Sequence, residues 1–157
     1  AFSIIKGSTD SEHAFALYLD AIKFNDQAST EEMERALLDT IQRIIALRVE
    51  HDATSNALIN FAVSNGKSIL VTRFATDQHA QPASLFYAAG PVTRPPGGDF
   101  RVAGFGKGVP NKGDIIICSE PLTEHKEDWV RVLRNHMIVV GEDGYFEVKP
   151  IAIPYQT

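Results

Sequence analysis

The chain has 157 residues, of which 44% are hydrophobic and 22% charged, and 20 acidic against 15 basic side chains give a formal net charge of -5. This is the profile of one folded globular domain, large enough to bury a core without disulfides. The charge argues against a broad basic surface for nucleic acid or anionic lipid, and no apolar run approaches the roughly 18 residues of a membrane span. The one cysteine, Cys118, rules out an intrachain disulfide and a multi-cysteine zinc site and suits a reducing, cytoplasmic setting.

The first predicted element is a helix. Thr9-Asp10-Ser11-Glu12 reads as a capping box, and Phe15, Tyr18, Leu19 and Ile22 follow at the spacing of one apolar face. A second capping box, Ser29-Thr30-Glu31-Glu32, opens a longer helix to about Asp52. Met33, Leu37, Ile41, Ile44 and Ile45 are expected inside, with Glu31, Glu34, Arg35, Asp39, Arg43 and Arg48 on the solvent side. The period then changes. Leu58 to Val63 and Ile69 to Phe74 are short apolar runs around Asn65-Gly66, which predicts a hairpin. Ser84 to Ala88 gives a third strand. Pro91 to Gly113, rich in proline and glycine, reads as a long irregular loop. Asp114 to Ser119 is a further strand, and His136 to Val140 with Tyr145 to Val148 flank the hairpin turn Gly141-Glu142-Asp143-Gly144. Two helices followed by five or six strands predict an α+β fold with a mainly antiparallel sheet and no linker dividing it.

Few residues stand out chemically. Cys118 lies inside an apolar strand, where a buried thiol is inert, so it is expected to be structural. His13, His51, His79, His125 and His136 show no metal-ligand spacing. Gly104-Phe105-Gly106-Lys107-Gly108 lacks the spacing of a phosphate-binding loop and reads as a flexible loop. Asn65-Gly66 is a tight turn rather than a pair of oxyanion donors. Asp10, at the first helical position, complements the helix dipole, and that alone accounts for an acidic residue there.

The order of motifs carries more. Gly7-Ser8-Thr9-Asp10-Ser11-Glu12 before an apolar helix resembles the Thr-Asp-Ser/Thr-Glu motif of the class II glutamine amidotransferases, the N-terminal-nucleophile type. Leu58 to Val63, Asn65-Gly66 and Val71-Thr72-Arg73-Phe74 resemble that family's central hairpin. Cys118-Ser119-Glu120-Pro121-Leu122 is similar to its Ser-Glu strand end, and Asp128-Trp129 with the strand pair to Val148 keeps the order. The subgroup it resembles is the amidotransferase-like proteins linked in fungi to glutathione breakdown, with bacterial relatives.

The resemblance implies part of a four-layer α-β-β-α sandwich, with residues 1–157 forming a single unit, the C-terminal part of a type 2 amidotransferase domain. It implies a γ-glutamyl amide hydrolase that works through an N-terminal cysteine, with no cofactor and no metal. The nucleophile, the oxyanion Asn-Gly pair and the substrate-binding arginine would precede Thr9, so this chain by itself is expected to be inactive. Asp10 would bind the α-ammonium of glutamine or another γ-glutamyl small molecule. Partners would be the N-terminal half of the domain and a hydrolase or peptidase subunit. Two other readings remain: a non-catalytic binding or regulatory module that kept the fold, and an N-terminal-nucleophile amidohydrolase acting on a different amide.

Overall fold

Capping chemistry sets where both helices begin. The computed structural model describes residues 5–51, 53, 55–77, 79–94, 96–98, 101–102 and 114–153, and places helix α1 at Asp10–Ala21 and helix α2 at Thr30–Glu50. Ser29 completes a capping box: its hydroxyl accepts from the Glu32 N–H at 3.2 Å, and the Glu32 carboxylate accepts from the Ser29 N–H at 2.8 Å. Thr9 accepts from the Glu12 N–H at 3.3 Å, but the reciprocal bond expected of Glu12 is not made. Its carboxylate reaches further back, to the backbone of Lys6 and Gly7.

Helix α2 buries Met33, Leu37, Ile41 and Ile45 as its spacing predicts, with Ile44 half-buried. In α1 the buried positions are Ala14, Ala16 and Tyr18, while Leu19 and Ile22 are half-buried. Phe15, expected inside, is 52% exposed and stacks on Tyr18 at 6.2 Å between ring centroids. Tyr18, with the half-buried Ala21 and Ile22, is the part of α1 that packs into the cluster with α2.

Ten short strands lie among the described residues: β1 Leu58–Ile59, β2 Ala62–Ser64, β3 Ile69–Ala75, β4 Phe86–Ala89, β5 Val92–Thr93, β6 Arg101–Val102, β7 Ile115–Cys118, β8 Val130–Arg131, β9 His136–Val140 and β10 Phe146–Pro150. The excess over five or six has local causes. The run from Leu58 splits at Asn60-Phe61, where the Thr72 hydroxyl accepts from the Phe61 N–H at 3.0 Å and donates to the Ile59 carbonyl at 3.2 Å. The presumed loop after Pro91 contains the β5–β6 ribbon.

All pairings are antiparallel. One sheet pairs β1 and β2 with the same edge of β3, then runs through β9 to β10; the second has the order β7-β4-β8. Side-chain alternation then fixes the layers. Leu70, Phe74, Met137 and Val139 face the helices. Val71, Ile138 and Phe146 face the second sheet through Leu85, Tyr87 and Ile117. Helices, first sheet and second sheet stack in that order. On the outer side of the second sheet, Phe86, Ala88, Ile116 and Cys118 pack with Trp129 and Val102; no helical layer covers them among the described residues.

The two sheets are joined by Arg73, which is 3% exposed. Its guanidinium donates to the carbonyls of Ala83 at 2.9 Å, Val132 at 3.1 Å and Pro82 at 3.1 Å. Burial, with Arg131 and Arg134 nearby, pushes its pKa below the usual arginine range. Arg73→Met would leave the Val132 and Pro82 carbonyls without a donor, while the Ala83 carbonyl keeps the Asn60 amide. A buried acceptor left unsatisfied costs about 1–3 kcal/mol, so the variant should lose about 2 kcal/mol or more in a urea melt. A loss under about 1 kcal/mol would show that the cage is dispensable.

Candidate functional site

The stripe Asp10, His13, Leu17 lies along one side of α1 at spacings of three and four, and Ile44, Arg48, His51 does the same on α2. Because α1 and α2 pack side by side, these stripes form two walls of a cleft of about 890 Å³, and β1 with Asn60 and Phe61 forms the third. Its lining combines apolar side chains, among them Leu17, Ile44 and Phe61, with the charged Asp10 and Arg48.

Asp10 is the first residue of α1, exposed, and lines this cleft. One carboxylate oxygen accepts from the Ser11 N–H at 2.9 Å, and no cationic side chain pairs with it among the described residues. The helix N-terminus supplies a field that favours a carboxylate there. The approach to it is held by Glu12, whose two oxygens accept from the Lys6 N–H at 2.7 Å and the Gly7 N–H at 2.9 Å. A Cβ on Gly7 would collide with that carboxylate, so a glycine suits the position. The Lys6 and Gly7 donors hold the Glu12 carboxyl below the ordinary carboxylate range.

Arg48 was placed on the solvent side by its sequence and is instead half-buried on the cleft wall. One of its terminal nitrogens donates to the Ala53 carbonyl at a long 3.4 Å, and no carboxylate pairs with it among the described residues. Its alignment with Ile44 and His51 on one helical stripe is the signal that could have placed it. Glu34 also leaves the solvent side: it pairs with Lys149 at 2.7 Å beneath a second recess at the start of α2. There the polar groups satisfy one another, Lys149 meeting Glu147 at 3.2 Å and Thr30 meeting the Ser68 hydroxyl at 2.8 Å.

The other candidates fall elsewhere. Cys118 is not among the residues lining the cleft; it ends β7, packs into the outer cluster of the second sheet, and is half-buried rather than enclosed, because β7 is an edge strand. Burial, and then Glu120, push its thiol up, which disfavours the thiolate. Asn65-Gly66 is a turn: the Asn65 side chain accepts from the Lys67 and Ser68 N–H groups at 3.0 and 2.8 Å, and Gly66 takes φ 86°. The strands pair from Ser64 to Ile69, one residue beyond the expected run to Val63, and leave residues 65–68 as the loop. His13 and His51 line the cleft. Among the described residues no three His, Cys, Asp or Glu converge in a group that could hold a metal ion, and no helix is long and apolar enough to cross a membrane. Gly104 to Gly108 lies outside the described residues.

No protein-family profile matches the chain. It is 30% identical over 178 aligned positions to a probable glutamine amidotransferase, DUG3, of Saccharomyces cerevisiae, an alignment covering 99% of this chain and 49% of the yeast protein. A solved structure of a glutamine aminotransferase class-II domain protein from Silicibacter pomeroyi superposes with a TM-score of 0.63 at 24% identity, over 96% of this chain and 55% of the other. The chain thus spans about half the length of each of these relatives.

The Glu12 clamp has a testable pH dependence. Its depressed pKa means that the ionised carboxylate stabilises the fold above the ordinary carboxylate range, and that this contribution is lost as pH falls through the lower, folded value. Wild type and Glu12→Gln should therefore differ in urea midpoint near neutral pH and converge in acid. A difference that persists unchanged into acid would show that the charge is not what holds Lys6 and Gly7.

Proposed function

Since the chain belongs to the class II glutamine amidotransferase family, we propose that it forms the substrate-ammonium side of a γ-glutamyl amidohydrolase site. The observation that carries this reading is Asp10: a carboxylate with no cationic partner among the described residues, fixed at the first residue of a helix, on the wall of a cleft large enough for a small ligand. An α-ammonium placed against it would gain charge-assisted hydrogen bonds. That contact would decide which end of a γ-glutamyl molecule enters the cleft.

The chemistry proposed for the whole domain is acyl transfer through a thiol. A cysteine thiolate attacks the γ-carbonyl; the C–N bond breaks and the amine leaves with a proton. Water then hydrolyses the γ-glutamyl thioester, releasing the acid and restoring the thiol. Hydrogen-bond donors aimed at the tetrahedral oxyanion lower both barriers. Cys118 is not assigned to this role, since it lies outside the cleft. The nucleophile is proposed to lie beyond these 157 residues, so the isolated chain should not release glutamate. A cytoplasmic setting, a place in glutathione metabolism and a hydrolase or peptidase partner are part of the same reading.

The test is Asp10→Asn in the full-length protein. It keeps the shape of the side chain and removes its charge. A hydrogen bond to a charged group is worth about 1.5–3 kcal/mol, so the KM for a γ-glutamyl substrate should rise about ten- to a hundredfold. The melting temperature should change little, because a first-turn dipole interaction is worth only about 0.3–1 kcal/mol. An early melt with unchanged KM would leave Asp10 as a helix-start residue only.

A further inference from the structure

Helix α1 ends in a strained turn. Lys23 and Phe24 take φ of 55° and 54°, the left-handed region that glycine and asparagine fill most easily. Three backbone bonds hold them there. The Lys23 N–H donates to the Asp20 carbonyl at 3.0 Å, the Phe24 N–H to that of Leu19 at 2.9 Å, and the Asn25 N–H to that of Ile22 at 3.1 Å. On the far side, the Asn25 side chain accepts from the Gln27 N–H at 3.0 Å. The turn presents a bulky aromatic side chain on a fixed backbone, and Phe24 is 53% exposed.

Beside it lies a groove of about 430 Å³, between the end of α1 and the first turns of α2. Lys23 and Asn25 line this groove and Phe24 between them does not, so the knob stands next to the hole. The apolar lining is Ala21, Ile22 and Ala36, and the charges are of both signs, Lys23 and Arg35 with Glu32 and Asp39. Asp39 pairs with Arg43 at 2.8 Å, and Glu32 caps Ser29 with one oxygen. Lys23 and Arg35 make no hydrogen bond or ion pair among the described residues; Arg35 acts on Glu31, one turn earlier, only through space.

We propose that a second copy of the chain docks on this face, each Phe24 entering the other's groove. A two-fold interface sets one patch against itself, so the patch must be complementary to itself. A knob beside a hole meets that condition in shape, and charges of both signs meet it electrostatically. A partner of one sign would be repelled by half of these charges. An axis passing between Glu32 and Arg35 sets each Arg35 on the partner's Glu32, whose second oxygen the cap leaves open. The fold itself does not call for Phe24, since glycine or asparagine would hold the same turn with less strain. An anchor fixed before association loses little freedom on docking, and aromatic anchors dominate such contacts. The two rings supply only about 300–500 Å² of buried surface, under the roughly 1,200 Å² of a stable complex, so the dimer is reversible. Asp10 lies about 17 Å away along α1, and the inference is independent of the reading given to it.

Sedimentation velocity of the full-length protein over a rising concentration series tests this. The wild type should pass from monomer to dimer. Phe24→Asn removes the ring and suits the left-handed backbone; it should weaken self-association about tenfold or more, with no fall in melting temperature. Arg35→Glu turns the central ion pair into a repulsion and should weaken the dimer too. Arg35 is exposed, so this variant reads the interface without disturbing the turn. Added salt should weaken the wild-type dimer. A wild type that stays monomeric at every concentration overturns the inference. So does a folded Phe24→Asn variant that associates as strongly as the wild type, because association then uses another face.

Discussion

A guanidinium lies between the two sheets, and its partners among the described residues are backbone carbonyls. Removing a charge from water is costly, and a buried arginine is tolerated only where its donors are met. Arg73 meets this condition with three carbonyls from the segment after β3 and from the end of β8. Those carbonyls lie outside the strand ladders, where a buried acceptor needs a partner from a side chain or water. Lysine, with a single point of charge, could not reach three divergent acceptors; the planar fork of arginine does. The chain can therefore leave the first sheet, turn inside the protein and enter the second without stranding its backbone.

This constraint extends to the cleft. The Ala83 carbonyl accepts from Arg73 and also from the Asn60 side-chain amide at 3.1 Å, and Asn60 lines the cleft. Next to it, Thr72 fills the break between β1 and β2, with its backbone N–H bonded to the Phe61 carbonyl at 2.8 Å. The β1 wall of the cleft is thus fixed from behind by the strand that carries Arg73. The opposite walls are helices whose starts are capped by Thr9 and Ser29. The cleft lies between elements that are each anchored by their own hydrogen bonds, and Asp10 sits at the helix start that Thr9 caps.

Local chemistry was the legible part of the sequence. Capping boxes and the 3.6-residue period gave both helices, and apolar runs punctuated by Asn-Gly and Asp-Gly gave the two hairpins around which the first sheet is built. The α+β class followed from the order of elements. What the sequence concealed were choices settled by tertiary contact. Phe15 left the core for the surface, where it stacks on the buried Tyr18. Glu12 bonded to Lys6 and Gly7 because the preceding loop folds back over the helix start. Very short strands such as β5, β6 and β8 carry too few residues to show a period of two. Asp10 could be singled out because its motif is local. The sign of Arg48 was its stripe with Ile44 and His51, a weak one, since a charged residue on a helix flank reads as solvated until the neighbouring helix is in place.

Several cations are neutralised on folding among the described residues: Arg43 by Asp20 and Asp39, Arg101 by Asp128 and Glu127, Lys149 by Glu34 and Glu147. The buried Asp128 shows what such pairing achieves, since Arg101 holds its carboxyl below the ordinary range and ties the β5–β6 ribbon to the body. Exposed ion pairs contribute little, about 0–1 kcal/mol, so leaving a charge unpaired in an open cleft costs the fold almost nothing. A charge in the cleft lining gains strength once a ligand displaces water from beside it, because the local dielectric falls. Stability therefore sets no demand on Asp10, and the reading proposed for it rests on its place at the helix start and in the cleft lining.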